Sequence, residues 1–188
     1  MTLLLAGLLV PVAALTFSVE VVGTSMEPTV HPGDRLLVDV LAREDISRFD
    51  LVEATVFGST VVKRVIGLPG DRIEVRVGDE ASLVLLTPSG TTTTYRVDNP
   101  AWTAQAGTLQ RPCCAPDGSS TGPAGPVVVP PDHFWVIGDN WGASDDSRVY
   151  GFVPAQDVVA QLDRRILPLD RAGVVPSDVR LEPAAVEP

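Results

Sequence analysis

The chain is poor in histidine, cysteine and basic residues, and these shortages exclude several classes of protein. It has two histidines and two cysteines, Cys113 and Cys114, which are adjacent. Neighbouring cysteines do not join distant segments, and no further Cys/His cluster completes a zinc site, so we expect no metal and no cofactor. A loop thiol pair and an intermolecular or redox role both stay open. With 14 Lys+Arg against 24 Asp+Glu and no basic stripe, a nucleic-acid partner is not expected.

Aromatic residues are also scarce, at 5% of the 188 residues, whereas Gly (16) and Pro (17) are frequent and hydrophobic residues reach 45%. This mixture supplies enough apolar side chains for a core but too many helix breakers for a helix bundle. A loop-rich, mostly β protein is therefore predicted. The length suits one domain, or one domain with an insert.

Charge is missing from the start of the chain, where Glu20 is the first ionisable side chain and Leu, Ala and Val dominate. A helix over residues 1–19 would be roughly 28 Å long and would just cross a hydrocarbon layer of about 30 Å. The pattern predicts a transmembrane anchor over 1–19. A cleaved signal peptide, which would lack its usual basic region, and a misassigned start are the alternatives.

Beyond this apolar stretch, the pattern predicts short strands joined by Gly, Pro and Asp turns. Strands are expected at Ser18–Val22, Arg35–Val40, Leu51–Phe57, Thr60–Ile66, Arg72–Val77 and His133–Ile137, and a short helix at Ala155–Leu162. Residues 78–130 are polar, rich in Gly and Pro and weakly periodic, which predicts an inserted β subdomain with a long loop. The acidic, Pro-containing end, residues 168–188, is expected to be disordered.

Three short segments hold the residue types that carry chemistry: Gly23–Thr29, Val62–Asp71 and Gly138–Pro154. Each alone has an ordinary explanation. Ser25 suits a turn, and Lys63 alternates with apolar neighbours like a lysine that faces solvent from a strand. The third segment suits a turn followed by a surface ion pair, which contributes ~0–1 kcal/mol.

Taken together and in order, the segments resemble the signature boxes of the type I signal peptidases, the serine–lysine S26 class. The matching patterns are Ser-Met-x-Pro-Thr from Ser25, Lys-Arg-x-x-Gly-x-Pro-Gly-Asp from Lys63, and Gly-Asp-Asn-x-x-x-Ser-x-Asp-Ser-Arg-x-x-Gly-x-Val from Gly138. The short interval between Ser25 and Lys63 is similar to that of the compact Gram-positive and actinobacterial enzymes. The resemblance covers residues 20–77 and 127–160. It implies a signal-peptidase-type antiparallel β-sheet or barrel domain with an N-terminal transmembrane helix and a β-rich insert.

The resemblance also implies a function: a membrane-bound serine endopeptidase that cleaves N-terminal signal peptides from exported proteins. Residues 20–77 and 131–167 would then form the catalytic β domain, on the extracytoplasmic side of a single-pass membrane protein. The expected partners are signal peptides and the lipid bilayer, and the enzyme is expected to be monomeric. A narrow-specificity maturation peptidase of the same class and a non-enzymatic membrane-anchored β scaffold are the alternatives.

The family's catalytic roles fall on matching positions of this sequence. Ser25 corresponds to the nucleophile, Lys63 to its general base, and Ser144 to the serine that orients the lysine. Asp146 and Arg148 correspond to a supporting ion pair. The Ser25 backbone N–H is expected to donate to the oxyanion. Some relatives add a serine hydroxyl two residues before the nucleophile, but this chain has glycine at that position, so that second donor is excluded.

A lysine base has to be neutral, and this requires burial. A free lysine has a pKa of about 10.4, and burial against apolar groups depresses the pKa of a lysine by about 3–5 units. On a strand, Val61 and Val65 share the face of Lys63, which fits a buried amine.

Substrate binding follows from the same resemblance. The extended signal peptide would add as a β-strand between Glu20–Ser25 and Thr60–Lys63. Small apolar pockets would accept alanine at the first and third residues before the cut. The residues expected to line them are Val21, Met26, Val30, Val61 and Val62, although plain core packing explains each of them equally well. Trp141 departs from the family pattern and is a candidate for the membrane surface.

Overall fold

A computed structural model describes residues 17–77, 82–103, 113 and 125–184 of the chain. The strands are β1 (Ser18–Glu20), β2 (Arg35–Leu37), β3 (Leu51–Val56), β4 (Ser59–Gly67), β5 (Arg72–Val77), β6 (Ser82–Thr87), β7 (Tyr95–Asp98), β8 (Val127–Val128), β9 (His133–Ile137), β10 (Val153–Pro154), β11 (Val158–Gln161), β12 (Arg164–Leu167), β13 (Gly173–Val174) and β14 (Arg180–Pro183). Helices are short: α1 (Pro100–Thr103), α2 (Ser147–Tyr150) and 3₁₀ turns at Ala42–Asp45, Ala155–Asp157 and Leu169–Arg171. The mostly β class predicted from composition is confirmed.

The central sheet has the strand order β10-β9-β4-β3-β11 and is built on the predicted β3–β4 hairpin. Phe57 and Gly58 form its two-residue turn, and both have positive φ (48° and 76°), as a turn that matches the twist of a hairpin requires. Strand β4 pairs with β3 from Ser59 to Arg64, but its pairing with β9 begins only at Arg64. The opposite edge of Ser59–Lys63 is therefore not covered by any strand of the described residues.

A second sheet, with the order β14-β7-β6-β5-β8, contains the three strands that the structure describes within the predicted insert, β6, β7 and β8. It also takes β5 from the segment before the insert. Its inner face joins the central sheet in one apolar core that includes Ile73, Leu86 and Trp135, all fully buried. Cys113 is buried in the same core and belongs to a disulfide, and Cys114 lies outside the described residues.

The prediction of a disordered tail over 168–188 is wrong for the part that the structure describes, which ends at residue 184. Strand β14 pairs along its whole length with β7, and Arg180 forms a 2.6 Å ion pair with Asp98. The apolar side chains of Val175 and Val179 are buried. The sequence suggested disorder because the tail is acidic and contains proline, but Val175 and Val179 are placed where two existing cores accept them.

The prediction of a helix over Ala155–Leu162 is also wrong. One 3₁₀ turn leads into strand β11, which pairs with β3. Val158 and Ala160 are buried whereas Val159 is 37% exposed, so the burial alternates with the two-residue period of a strand. Pairing with an already formed hairpin and β-branched side chains outweigh the weak helix signal after Pro154.

The third sheet, with the order β1-β2-β12-β13, begins close to the predicted anchor. Ser18 and Val19, which the sequence assigned to the anchor, lie in β1 and pair with β2. Residues 1–16 lie outside the described residues, and no helix of the described part of the chain is long and apolar enough to cross a membrane.

Candidate active site

Ser25 lies in a tight turn between β1 and β2. The turn is closed by hydrogen bonds from the Glu27 N–H to the Thr24 carbonyl (3.1 Å) and from the Val30 N–H to the Met26 carbonyl (3.0 Å). Met26 and Val30 are 1% and 0% exposed. Because these two side chains anchor the turn in the core, Ser25 is held at the surface of the domain in a fixed position.

Lys63 lies on β4 with its side chain almost completely buried, at 3% exposed. Its Nζ donates a 2.7 Å hydrogen bond to the Oγ of Ser25, across 38 positions of sequence. The structure thus brings together the two residues that the sequence predicted as nucleophile and base. Lys63 is also the only lysine of the chain, and all its other basic side chains apart from the histidines are arginines.

The surroundings of Lys63 make its ammonium form costly. Burial lowers the pKa of Lys63 below its ordinary value of 10.5, and the positive charge of Arg148 lowers it further, whereas the charges of Asp146 and Asp145 act in the opposite direction. Val65, two residues along the same face of β4, is fully buried. Desolvation is the largest of these effects and outweighs the two carboxylates, so the amine loses its proton more readily than an exposed lysine does.

Asp139 is a buried hub that ties the three sequence segments together. Its carboxylate accepts two hydrogen bonds from Arg64, at 2.9 and 2.6 Å, and both side chains are buried. It also accepts from the Thr29 hydroxyl (2.5 Å) and from the Asn99 amide (2.9 Å). Sequence analysis did not single out these four residues. Thr29, Arg64 and Asp139 stand inside the matched segments, and that position was the available signal.

The loop after β9 contacts the Ser25 turn directly. Asn140 donates its backbone N–H to the Ser25 carbonyl (2.9 Å) and its side-chain amide to the Thr24 carbonyl (3.0 Å). A Cβ on Gly138 would lie 2.4 Å from the Ser25 carbonyl oxygen and 2.2 Å from the Ser144 Oγ. Only glycine permits this approach, which explains the glycine of the Gly-Asp-Asn segment.

Ser144 lies beside this contact, but its Oγ is buried and has no hydrogen-bond partner in the part of the chain that the structure describes. The structure therefore brings Ser144 next to Gly138 and the Ser25 carbonyl without a bond from Ser144 to Lys63. An unpaired buried hydroxyl costs about 1–3 kcal/mol, so a native structure that retains one needs a reason to do so.

Asp146 and Arg148 form the expected ion pair, with two contacts of 2.8 and 2.7 Å and both side chains buried. Asp146 also caps helix α2 through the Arg148 N–H and accepts from the Gly138 N–H (3.0 Å). The pair is thus joined to the loop that contacts Ser25. Trp141 is 5% exposed, and the Arg148 guanidinium lies 4.2 Å from the centre of its ring. The expectation that Trp141 faces a membrane is wrong, because packing against Arg148 buries it.

The five predicted pocket residues do not lie on one face. Val21, Met26 and Val30 belong to one buried cluster, against which Val62 packs, whereas Val61 packs against a different cluster on the other side of β4. Val61 and Val62 are partly exposed. Met26 and Val30 are fully enclosed, as core packing explains. Their pocket role stays a prediction.

An antiparallel β domain that holds a serine hydroxyl against a buried amine with a lowered pKa has the arrangement that a serine hydrolase with a lysine base requires. Comparison with protein families agrees with this class. Residues 1–167 match the family described as "Signal peptidase, peptidase S26". The chain belongs to this family, and it is a hydrolase of the signal peptidase I class.

Two named signal peptidases give the same result. The chain is 30% identical over 175 residues to the Synechocystis protein named "Probable signal peptidase I-2", which covers 88% of this chain and 69% of that protein. It is 35% identical to the signal peptidase I of Bacillus caldolyticus, covering 78% and 76% of the two chains. A crystal structure of a signal peptidase I from Enterococcus faecalis shares 25% sequence identity, covers 62% of this chain and 96% of that chain, and has a TM-score of 0.43.

Proposed function

We propose that this protein is a membrane-bound serine endopeptidase that removes N-terminal signal peptides from exported proteins, with Ser25 as nucleophile and Lys63 as general base. The observation that carries the proposal is the 2.7 Å contact between the Lys63 Nζ and the Ser25 Oγ at a buried lysine. A neutral amine at this distance is placed to accept the hydroxyl proton.

The reaction then proceeds in two halves. As the Ser25 Oγ attacks the scissile carbonyl, its proton moves to the Lys63 Nζ, and the ammonium gives that proton to the leaving amine. A water molecule hydrolyses the acyl-enzyme with Lys63 again as base. The Ser25 backbone N–H donates to no acceptor among the described residues, so it is available to the oxyanion.

Ser144 is the residue we assign to orienting the lysine. Its unpaired Oγ lies beside Gly138 and the Ser25 carbonyl, in the same part of the site as the dyad. Asp146 and Arg148 hold the backbone of this loop through the Gly138 N–H and the Trp141 carbonyl (3.1 Å). In this proposal, the hydroxyl of Ser144 bonds to the Lys63 amine when the substrate is bound.

The substrate strand is expected to add to the open edge of Ser59–Lys63, opposite the segment from Val21 to Ser25. Backbone groups on that edge of β4 have no partner strand among the described residues. Val22 is 83% exposed, and a Cβ placed on Gly23 would meet no heavy atom within 4 Å, so the facing segment leaves room for a chain. Val61 and Val62 belong to this segment of β4 and are partly exposed. Of the five predicted pocket residues, they are the two on the strand that the substrate would pair with.

The membrane part of the proposal rests on the apolar stretch before β1. Because β1 starts at Ser18, the span would end by Phe17, only a few residues before Ser25. This would hold the site next to the extracytoplasmic surface of the bilayer. Full-length protein should stay with membranes after carbonate extraction, whereas a chain beginning at Phe17 should be released. Release of both would contradict the anchor.

The activity is tested with a preprotein substrate that has alanine at the first and third residues before the cut. Wild type in detergent should cleave it, and Ser25→Ala, Lys63→Ala and Lys63→Arg should not. Lys63→Arg is informative because arginine keeps the charge but does not deprotonate. Ser47→Ala, an exposed serine in the turn before β3 and away from the proposed substrate edge, is the matched control and should retain full activity. Binding without cleavage by wild type would instead support the scaffold alternative, and cleavage of a single substrate among many the maturation peptidase.

A further inference from the structure

The predicted insert contributes a short segment, Asn99–Trp102, that contacts the catalytic loop and that no signature box contains. The Asn99 amide donates to the Asp139 carboxylate (2.9 Å), and the Trp102 Nε1–H donates to the Gly138 carbonyl (3.1 Å). We call this segment the clasp. Its two bonds reach consecutive residues of the loop that also contacts Ser25.

The clasp also contains two hydrogen bonds of its own. The Asn99 side-chain oxygen accepts the Ala101 N–H (3.0 Å), and its backbone carbonyl accepts the Trp102 N–H (3.0 Å), so Asn99 caps the short helix α1. Asn99 is 4% exposed. The Asn99 side chain thus accepts a hydrogen bond within the clasp through its oxygen and donates one to Asp139 through its nitrogen. An amide side chain carries both an acceptor and a donor, which few other side chains do.

A chain of ring contacts continues from the clasp towards the dyad. The rings of Trp102 and Trp141 pack edge to face with their centres 5.2 Å apart, and Trp141 lies under the guanidinium of Arg148 at 4.2 Å. Arg148 in turn pairs with Asp146. Trp141 therefore covers the Arg148 side of the buried ion pair, and Trp102 packs against Trp141.

The loop that the clasp contacts acts on both Ser25 and Lys63. Asn140, next to Asp139, donates its N–H to the Ser25 carbonyl. The charged groups that act on Lys63 are Asp146, Asp145 and Arg148, and two of these three form the ion pair that Trp141 covers. A shift of this loop would change the position of Ser25 and also admit water to the surroundings of the amine.

We infer that Asn99 and Trp102 are positioning residues of the peptidase, and that the insert is part of the catalytic machinery because its clasp holds the Gly138–Ser144 loop against the Ser25–Lys63 dyad. This inference rests on the proposed function. The second sheet then has a role in catalysis. Its strand β7 ends at Asp98, immediately before the clasp, and so determines the position of the clasp.

The test compares variants that remove one contact each. Asn99→Ser keeps a helix-capping oxygen but loses the amide donor to Asp139, and Trp102→Phe keeps a ring but loses the Nε1 donor to Gly138. Trp102→Ala removes ring and donor. Arg96→Ala, on the exposed side of β7, is the matched control in the same sheet. All are assayed in detergent as full-length chains beside wild type and Ser25→Ala.

We expect Asn99→Ser and Trp102→Ala to lower kcat by about 10- to 100-fold, as displacements of about 1 Å at a reacting centre do. KM should change less than about twofold, because the clasp touches no substrate. The pH at which kcat rises should also increase. Water that reaches Lys63 reduces the desolvation that lowers the pKa of its amine. Trp102→Phe should fall between these variants and wild type, and Arg96→Ala should match wild type.

A second readout does not need activity. The folded protein is labelled with an amine-directed reagent at a series of pH values and then digested. Lys63 is the only lysine, so its labelled fraction is read from a single peptide by mass spectrometry. The clasp variants should shift the pH at which Lys63 becomes reactive upwards. If folded Asn99→Ser and Trp102→Phe keep the kcat, pH profile and Lys63 reactivity of wild type, the clasp has no positioning role. If wild type does not cleave at all, the proposed function fails, and the labelling profiles still decide whether the clasp acts on Lys63.

Discussion

The Lys63 Nζ and the Ser25 Oγ lie 2.7 Å apart, although one belongs to the central sheet and the other to a turn beside a different sheet. Neither residue reaches this position through local structure alone. Buried Met26 and Val30 fix the turn, and β3 and β9 fix the strand. The contact is therefore a product of the whole core, and its chemistry depends on the core excluding water from the amine.

The first prediction concerns the pH dependence of catalysis. Protonated Lys63 has no lone pair to accept the Ser25 proton, so kcat/KM should rise with pH through the pKa of Lys63 in the free enzyme. Because burial lowers this pKa, the rise should lie below 10.5. Initial rates measured from mildly acidic to alkaline pH provide the test, with Lys63→Arg inactive throughout as the control. A flat profile for wild type would contradict a lysine base.

The second prediction concerns stability. The unfolded chain holds a proton on lysine up to about pH 10.5, whereas the folded chain releases it at lower pH. The unfolded state therefore binds more protons between these two values, and the free energy of unfolding should rise with pH across that window. Lys63→Met should abolish activity, remove this contribution to the slope and be more stable than wild type at neutral pH.

Urea unfolding at a series of pH values measures this difference. The stability gap between Lys63→Met and wild type should close as the pH approaches 10.5, because the protonation cost disappears there. Ser25→Ala, which leaves the amine in place, is the control and should retain the wild-type slope. A gap that stays constant with pH would show that Lys63 has no depressed pKa.

Local patterns account for the elements that the sequence predicted correctly. Strands β3, β4, β5 and β9 lie within one or two residues of their predicted bounds, because alternation and turn residues are visible over a few positions. Strand β11 was missed because its partner, β3, lies about a hundred residues earlier. Strand β14 was missed for the same reason, since its pairing with β7 outweighs a composition typical of disorder.

The site shows the same division between local and distant information. Ser25, Lys63, Ser144, Asp146 and Arg148 were selected by resemblance, which carries residue identities without contacts. Pairings such as Arg64 with Asp139 depend on where three distant segments meet, and the clasp depends on an insert with weak periodicity. The two residues of the clasp that contact the loop, Asn99 and Trp102, belong to no motif that a single sequence reveals.

The third prediction concerns the buried hub. Removing one partner of a buried ion pair leaves a charge without compensation, and this typically costs about 3–5 kcal/mol. Asp139→Ala should therefore lower the free energy of unfolding by about that amount, leaving Arg64 buried and unpaired. Chemical denaturation measures the loss. Arg96→Ala breaks an exposed ion pair with Glu182 and should change stability little. Equal losses in the two variants would mean that the hub has no special structural role.

The fourth prediction separates a catalytic serine from a structural one. Ser144 has a buried hydroxyl without a hydrogen-bond partner among the described residues, so Ser144→Ala should leave stability unchanged or raise it. Its kcat should fall by about 10-fold or more, because the lysine loses its orienting group. Ser147 is the matched control. Its hydroxyl accepts the buried Val136 N–H (2.8 Å), so Ser147→Ala should lose about 1–3 kcal/mol of stability. Loss of stability without loss of kcat in Ser144→Ala would refute the orienting role.

The fifth prediction uses the space beside the nucleophile. Gly23 occupies the position where some relatives carry a second oxyanion donor, and a side chain there would meet no heavy atom within 4 Å of its Cβ. Its backbone also lies outside the left-handed region, so a larger residue fits without strain. Gly23→Ser should therefore fold normally and add a hydroxyl near the developing oxyanion.

Removing a single oxyanion donor typically lowers kcat by about 10²–10³-fold, so an added donor in a site not built around it should raise kcat by about 10-fold. Gly23→Ala is the control, because it adds the Cβ without the hydroxyl and should have the wild-type kcat. Single-turnover rates at saturating substrate measure the chemical step directly. Equal rates for Gly23→Ser and Gly23→Ala would place the oxyanion out of reach of residue 23, and the substrate strand would then have to enter the site in a different register.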